Sequence, residues 1–159
     1  MKAYAIPKDK QAVALRFKDA RTVKGTIFLE RLPQRRSLHE MVSGFLEDTN
    51  RFFPFLADEK TMTEFISKNT VWAVEIDLRG QTDDENFERG LIRIQEITAL
   101  LSDGTSIKGG LMAEVPEEQS RLSDCLNLKE RFMSLKVDTR IVYVNKDRVR
   151  MVMPAGDRD

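Results

Sequence analysis

The sequence predicts a mainly β protein: two small five-strand barrels in tandem, related by internal duplication, each with one short inserted helix. Three observations predict it. "TVKGTIFLE" and "SIKGGLMAE" match at an offset of 84 residues, which lays Gly25 on Gly109, Lys24 on Lys108 and Glu30 on Glu114. The same offset carries Asp19 onto Asp103 and Leu38 onto Leu122, with no gap from Leu15 to Ser43. Helical apolar spacing appears once in each half, between runs that otherwise read as strands.

Each half opens with two apolar runs around a tight turn, "AVALRFKDARTVKGTIFLE" and "EITALLSDGTSIKGGLMAEV". The second holds Asp103-Gly104, a hairpin signal because both residue types tolerate positive φ. Gly25 and Gly109 fall inside the outgoing strand, where glycine marks a bulge or sharp bend, as a sheet that curls requires. Next come the helices. Leu38, Met41, Val42 and Phe45 recur at i, i+3, i+4 and i+7, and Leu122, Cys125 and Leu126 repeat the first three positions. Ser37 with Glu40 three residues on has the form of a capping box. The apolar face of each helix is expected to plug an open end of its own barrel, with Leu38, Met41, Val42, Leu122, Cys125 and Leu126 buried.

After the helix the first half carries about five extra residues, which sets Phe53 on Phe132 and Leu56 on Leu135. "MTEFISKNTVWAVEI" and "TRIVYVNKDRVRMVM" then read as hairpins about Lys68-Asn69 and Lys146-Asp147. The expected division is residues 1–78 for the first barrel, 79–90 for a polar, acidic linker or long loop, 91–154 for the second barrel and 155–159 for a tail. Trp72 is expected to pack between the halves.

Composition narrows the function. Lys plus Arg is 26 and Asp plus Glu is 26, so there is no global basic field for nucleic acid or anionic membrane. A single cysteine, Cys125, rules out an internal disulfide and fits a reducing compartment. No run approaches the roughly 18 apolar residues of a membrane span. The expected location is the cytoplasm.

"LLSDGTSIKGGL" resembles the first motif of the Sm-like small β-barrel family: an apolar strand, an Asp-Gly turn, then a strand with an early glycine. "VNKDRV" has the spacing of the second Sm motif, with Asn145-Lys146 where the family carries Arg-Gly. The tandem whole also resembles uncharacterised bacterial proteins with a recurrent "RLSDxLN" segment, here Arg121 to Asn127. The Sm-like resemblance implies that two loops, residues 117–127 and 145–148 here, meet near the pore of a ring, where family members contact RNA. It implies a candidate binding site of Arg121, Ser123, Asp124, Asn127, Asn145, Lys146 and Arg148. Small polar groups with cations suit an acidic or hydrogen-bonding partner; the same residue types also serve as caps and turns.

No catalytic residues and no metal site are expected. One His and one Cys cannot supply the ligands a metal needs. Phosphate loops, Gly-x-Ser-x-Gly and His-Glu-x-x-His are missing from the sequence. Clustered arginines in "RLPQRRSLHEMVSG" raise a cyclic-dinucleotide barrel of the PilZ type, but the Ser-Gly spacing differs from that signature. "RFFPFL" offers either strand core or a stacking platform for single-stranded nucleic acid. The function expected is a non-enzymatic protein-interaction or assembly module without cofactors, its partner a protein and homo-oligomers allowed. An Sm-like RNA-binding protein is the alternative and a PilZ-type barrel the further one.

Overall fold

A computed structural model describes residues 8–30, 37–79, 93–113 and 121–155. The expected linker, apart from Arg79, and the arginines at 31, 35 and 36 lie outside these residues. The chain runs β1 (Lys8–Arg16), β2 (Thr22–Glu30), α1 (Leu38–Glu47), β3 (Phe52–Ala57), β4 (Glu64–Ser67) and β5 (Ala73–Asp77). It continues with β6 (Arg93–Leu101), β7 (Ser106–Ala113), α2 (Leu122–Leu126), β8 (Phe132–Val137), β9 (Arg140–Asn145) and β10 (Val149–Pro154).

The strands form one antiparallel ten-stranded sheet in the order β10-β6-β7-β8-β9-β5-β1-β2-β3-β4. Among the described residues the sheet does not close on itself: β4 and β10 each have one strand neighbour. The hydrogen bonds therefore trace a single continuous sheet in place of two closed barrels. Each half nevertheless has the same internal order, with its fifth strand beside its first.

The registers of the two halves agree as well. Val13 faces Gly25 as Ile97 faces Gly109, and Leu15 faces Val74 as Ala99 faces Val152. Phe53 faces Ile66 as Met133 faces Val144. The third strands thus align one residue away from the sequence expectation: Phe53 corresponds to Met133, not Phe132. The run "RFFPFL" misleads here because Phe52 and Phe53 point to opposite faces, one exposed and one buried.

The expected hairpins at Lys68-Asn69 and Lys146-Asp147 are not hairpins. Each is a short 3-10 turn, Lys68–Thr70 and Lys146–Arg148, that carries the chain from the far edge of its half back to the first strand. The strands on either side of each turn do not pair with each other.

Local chemistry explains the helices. Ser37 and Glu40 form a full capping box, each side chain accepting from the other's backbone N–H, and α1 runs for ten residues. At α2 the N-cap is Arg121, which makes no side-chain cap, and the helix stops after five. Leu38, Val42 and Leu46 of α1 are buried, while Met41 and Phe45 are partly so. Cys125 is buried in α2, and Leu122 and Leu126 are half-buried. The buried Lys68 pins the end of α1: its Nζ donates to the Phe45 carbonyl at 2.9 Å and to Asp48 Oδ1 at 2.6 Å.

Close approach explains Gly25 and Gly109. A β-carbon on Gly25 would lie 2.5 Å from the Leu56 carbonyl oxygen, and one on Gly109 3.0 Å from that of Lys136. Both glycines let the second strand bend tightly over the third.

Candidate functional site

The halves are joined strand to strand. β5 pairs with β9 so that Ala73 faces Val144, Val74 faces Tyr143, Glu75 faces Val142, Ile76 faces Ile141 and Asp77 faces Arg140. Apolar residues cross this joint in both directions. Phe132, Ile141 and Tyr143 belong to the core of the first half, and Trp72 and Ala73 to that of the second.

Polar groups finish the joint. The Asn145 backbone N–H donates to the Trp72 carbonyl and its side-chain amide to that of Val71, at 2.9 and 3.0 Å. Arg148 Nη2 donates to the Asn69 carbonyl at 2.6 Å, and the guanidinium lies over the Trp72 ring. Arg140 pairs with Glu75 at 2.8 Å across the strands. From α1, the two carboxylate oxygens of Glu47 accept the backbone N–H groups of Arg131 and Phe132, each at 2.9 Å. Arg131 returns the contact by donating to the carbonyls of Leu46 and Asp48 at the end of α1.

His39 reaches across as well. Its ring stacks on Tyr143, and Nδ1 shares a 2.9 Å hydrogen bond with the tyrosine hydroxyl. Burial lowers the His39 pKa below its ordinary value, opposed in part by Glu40. Burial also pushes the Tyr143 phenol upward, so it keeps its proton.

The seven residues expected to form a binding site are mostly engaged elsewhere. Arg121 pairs with Asp124 at 3.3 Å, and the Asn127 amide donates to the Ser123 carbonyl, which trims α2. Asn145 and Arg148 serve the joint, and Asn145 also caps its own turn by accepting from the Asp147 N–H. Lys146 Nζ donates to the Leu128 carbonyl and its backbone N–H to that of Arg131, which ties the final turn to the segment after α2. Lys146 also lines a cavity of about 390 Å³ with His39, Ser43, Cys125 and Glu130. Burial lowers its pKa, countered by Glu130 and Glu47. No group of three or more His, Cys, Asp or Glu residues placed to hold a metal occurs among the described residues.

The most conspicuous surface lies at the two ends of the sheet. Large exposed apolar side chains among the described residues are Phe52, Met62, Phe65, Ile94, Leu128, Met151 and Met153. Phe52, Met62 and Phe65 sit on β3, just before β4 and on β4; Met151 and Met153 sit on β10. Sequence reading missed this surface, although the outward-facing members of "RFFPFL" and "VRMVMP" were its visible signal. No family model, no curated protein and no solved structure matches the chain.

Proposed function

We propose that the chain is a non-enzymatic assembly module: two related five-strand units of the Sm-like kind, acting through strand edges. The carrying observation is that, among the described residues, the sheet ends in two open edges: β4 and β10 hold three of the seven exposed large apolar side chains, Phe65, Met151 and Met153, with Met62 just before β4 and Phe52 on the adjacent β3. An open edge offers unpaired backbone donors and acceptors, and apolar side chains beside it give a partner surface to bury. The equal numbers of acidic and basic residues also favour a protein over RNA. Engagement of Arg121, Asn145, Lys146 and Arg148 within the chain points the same way.

The test is site-specific photo-crosslinking in the producing cell, with the photoreactive residue at position 65, 151 or, as a control, 108. Lys108 is an exposed residue on β7, away from both edges. Protein adducts at 65 and 151 but not at 108 are expected, unchanged by nuclease. Adducts only with RNA, or none at the edges, would overturn the proposal.

A further inference from the structure

We infer that the cavity between α1 and the second half binds an apolar α-amino acid, with its carboxylate on Lys146, its ammonium on Glu130 and its side chain against Met112 and Met133. None of the described residues that line the cavity belongs to β4 or β10, so this site and the sheet edges stand or fall separately.

The repeated fold supplies the template. Each half holds a cavity in the same place, about 280 Å³ in the first and 390 Å³ in the second, the latter within the roughly 300–1,000 Å³ of small-molecule sites. Phe28, Met41, Phe53 and Lys68 line the first, and their counterparts Met112, Cys125, Met133 and Lys146 line the second. The two lysines are placed alike. Each opens its 3-10 turn, and their backbone N–H groups donate to the carbonyls of Arg51 and Arg131, both at 2.9 Å. Their ammonium groups differ. Lys68 has partners for all three N–H groups: the carbonyls of Phe45 and Asp48, and the Asp48 carboxylate at 2.6 Å. Lys146 Nζ makes one hydrogen bond among the described residues, to the Leu128 carbonyl. Glu47, whose charge reaches Lys146, spends both carboxylate oxygens on the backbone of Arg131 and Phe132. A carboxylate brought to Lys146 would do there what Asp48 does for Lys68.

Charge and shape specify the rest of the molecule. Glu40 and Glu130 also line the cavity, and burial holds His39 neutral at neutral pH. One cation with two carboxylates gives a simple anion a poor match and a doubly charged phosphate a worse one. A molecule that carries an ammonium beside its carboxylate answers both signs, as an α-amino acid does. Glu40 is held in the capping box by the Ser37 N–H, whereas Glu130 is exposed and acts on Lys146 more strongly than Glu47 does. Glu130 is therefore the group for the ammonium. The remaining wall is apolar: Leu111, Met112, Leu128, Phe132 and Met133. Such a wall suits an aliphatic or thioether side chain and leaves a charged one without a partner.

The experiment titrates L-leucine into the purified full chain, with the methionine methyl groups isotope-labelled and followed by NMR. Met112 and Met133 line the cavity, while Met62, Met151 and Met153 lie outside it. Saturable shifts at the first two, and none at the other three, are expected. Leucinamide, which lacks the carboxylate, and isocaproate, which lacks the ammonium, should each bind at least about tenfold more weakly. Lys146→Met and Glu130→Gln should weaken leucine binding to a similar extent, with circular dichroism verifying each fold. If Lys146→Met does not fold, the two analogues on the unaltered chain decide the same point. No saturable shift at Met112 and Met133 with millimolar leucine would overturn the inference. So would leucinamide or isocaproate binding as tightly as leucine, or a folded variant binding leucine unchanged.

Discussion

His39 is the chain's one histidine, and it sits where the halves meet, stacked on Tyr143. A neutral imidazole satisfies the tyrosine hydroxyl in either tautomer; a protonated one adds a charge to a buried site. Its folded pKa therefore lies below the ordinary value of 6.5, with burial the cause and Glu40 a partial counterweight. The unfolded chain binds a proton near 6.5 that the folded chain refuses. Stability from this group is complete above that pH and is lost as pH falls below it, down toward the depressed folded value. Urea unfolding measured on either side of 6.5 should show the midpoint dropping on the acid side. His39→Gln should flatten the slope in that window, because no second histidine titrates there. An unchanged slope would place the imidazole in water. Sequence alone marked His39 as the sole histidine but could not show its partner, since Tyr143 lies 104 residues away and on a strand of the other half.

Elements were legible where the signal is local. The capping box and the i, i+3, i+4 spacing define α1, and Asp103-Gly104 marks its turn, with Gly104 at φ +92. The turns at Lys68 and Lys146 were visible as chain reversals, but a reversal does not say which strands become neighbours. Hydrogen-bond partners hundreds of atoms apart decide that, and here they send β5 to β1 and β9 instead of to β4. The same limit hid the joint: polar residues in a final turn look alike whether they await a ligand or hold another strand. Glycine shows how element context sets the sign of one substitution. Gly25→Ala drives a β-carbon to 2.5 Å from the Leu56 carbonyl oxygen, a backbone atom, and should destabilise by about 1–3 kcal/mol. Gly44→Ala, on the exposed side of α1 with nothing within 4 Å, should stabilise by up to about 1 kcal/mol. Denaturation midpoints that move in the same direction for both would contradict the bend assigned to Gly25.

At the scale of the molecule, the two apolar cores are distinct but each borrows from the other half. Phe132, Ile141 and Tyr143 lend their side chains to the first core, and Trp72 and Ala73 to the second. Removing either half would strip the remaining core of buried side chains and leave Glu47, Asn145 and Arg148 facing absent partners. The halves should therefore unfold together despite their repeated topology, unlike a chain of independent beads. Trp72 is the single tryptophan and sits in the second core at the joint, so its fluorescence reports that region while circular dichroism reports all ten strands. In the full chain the two signals should trace one coincident urea transition. Two separated transitions would mean that the β5–β9 joint is too weak to couple the halves.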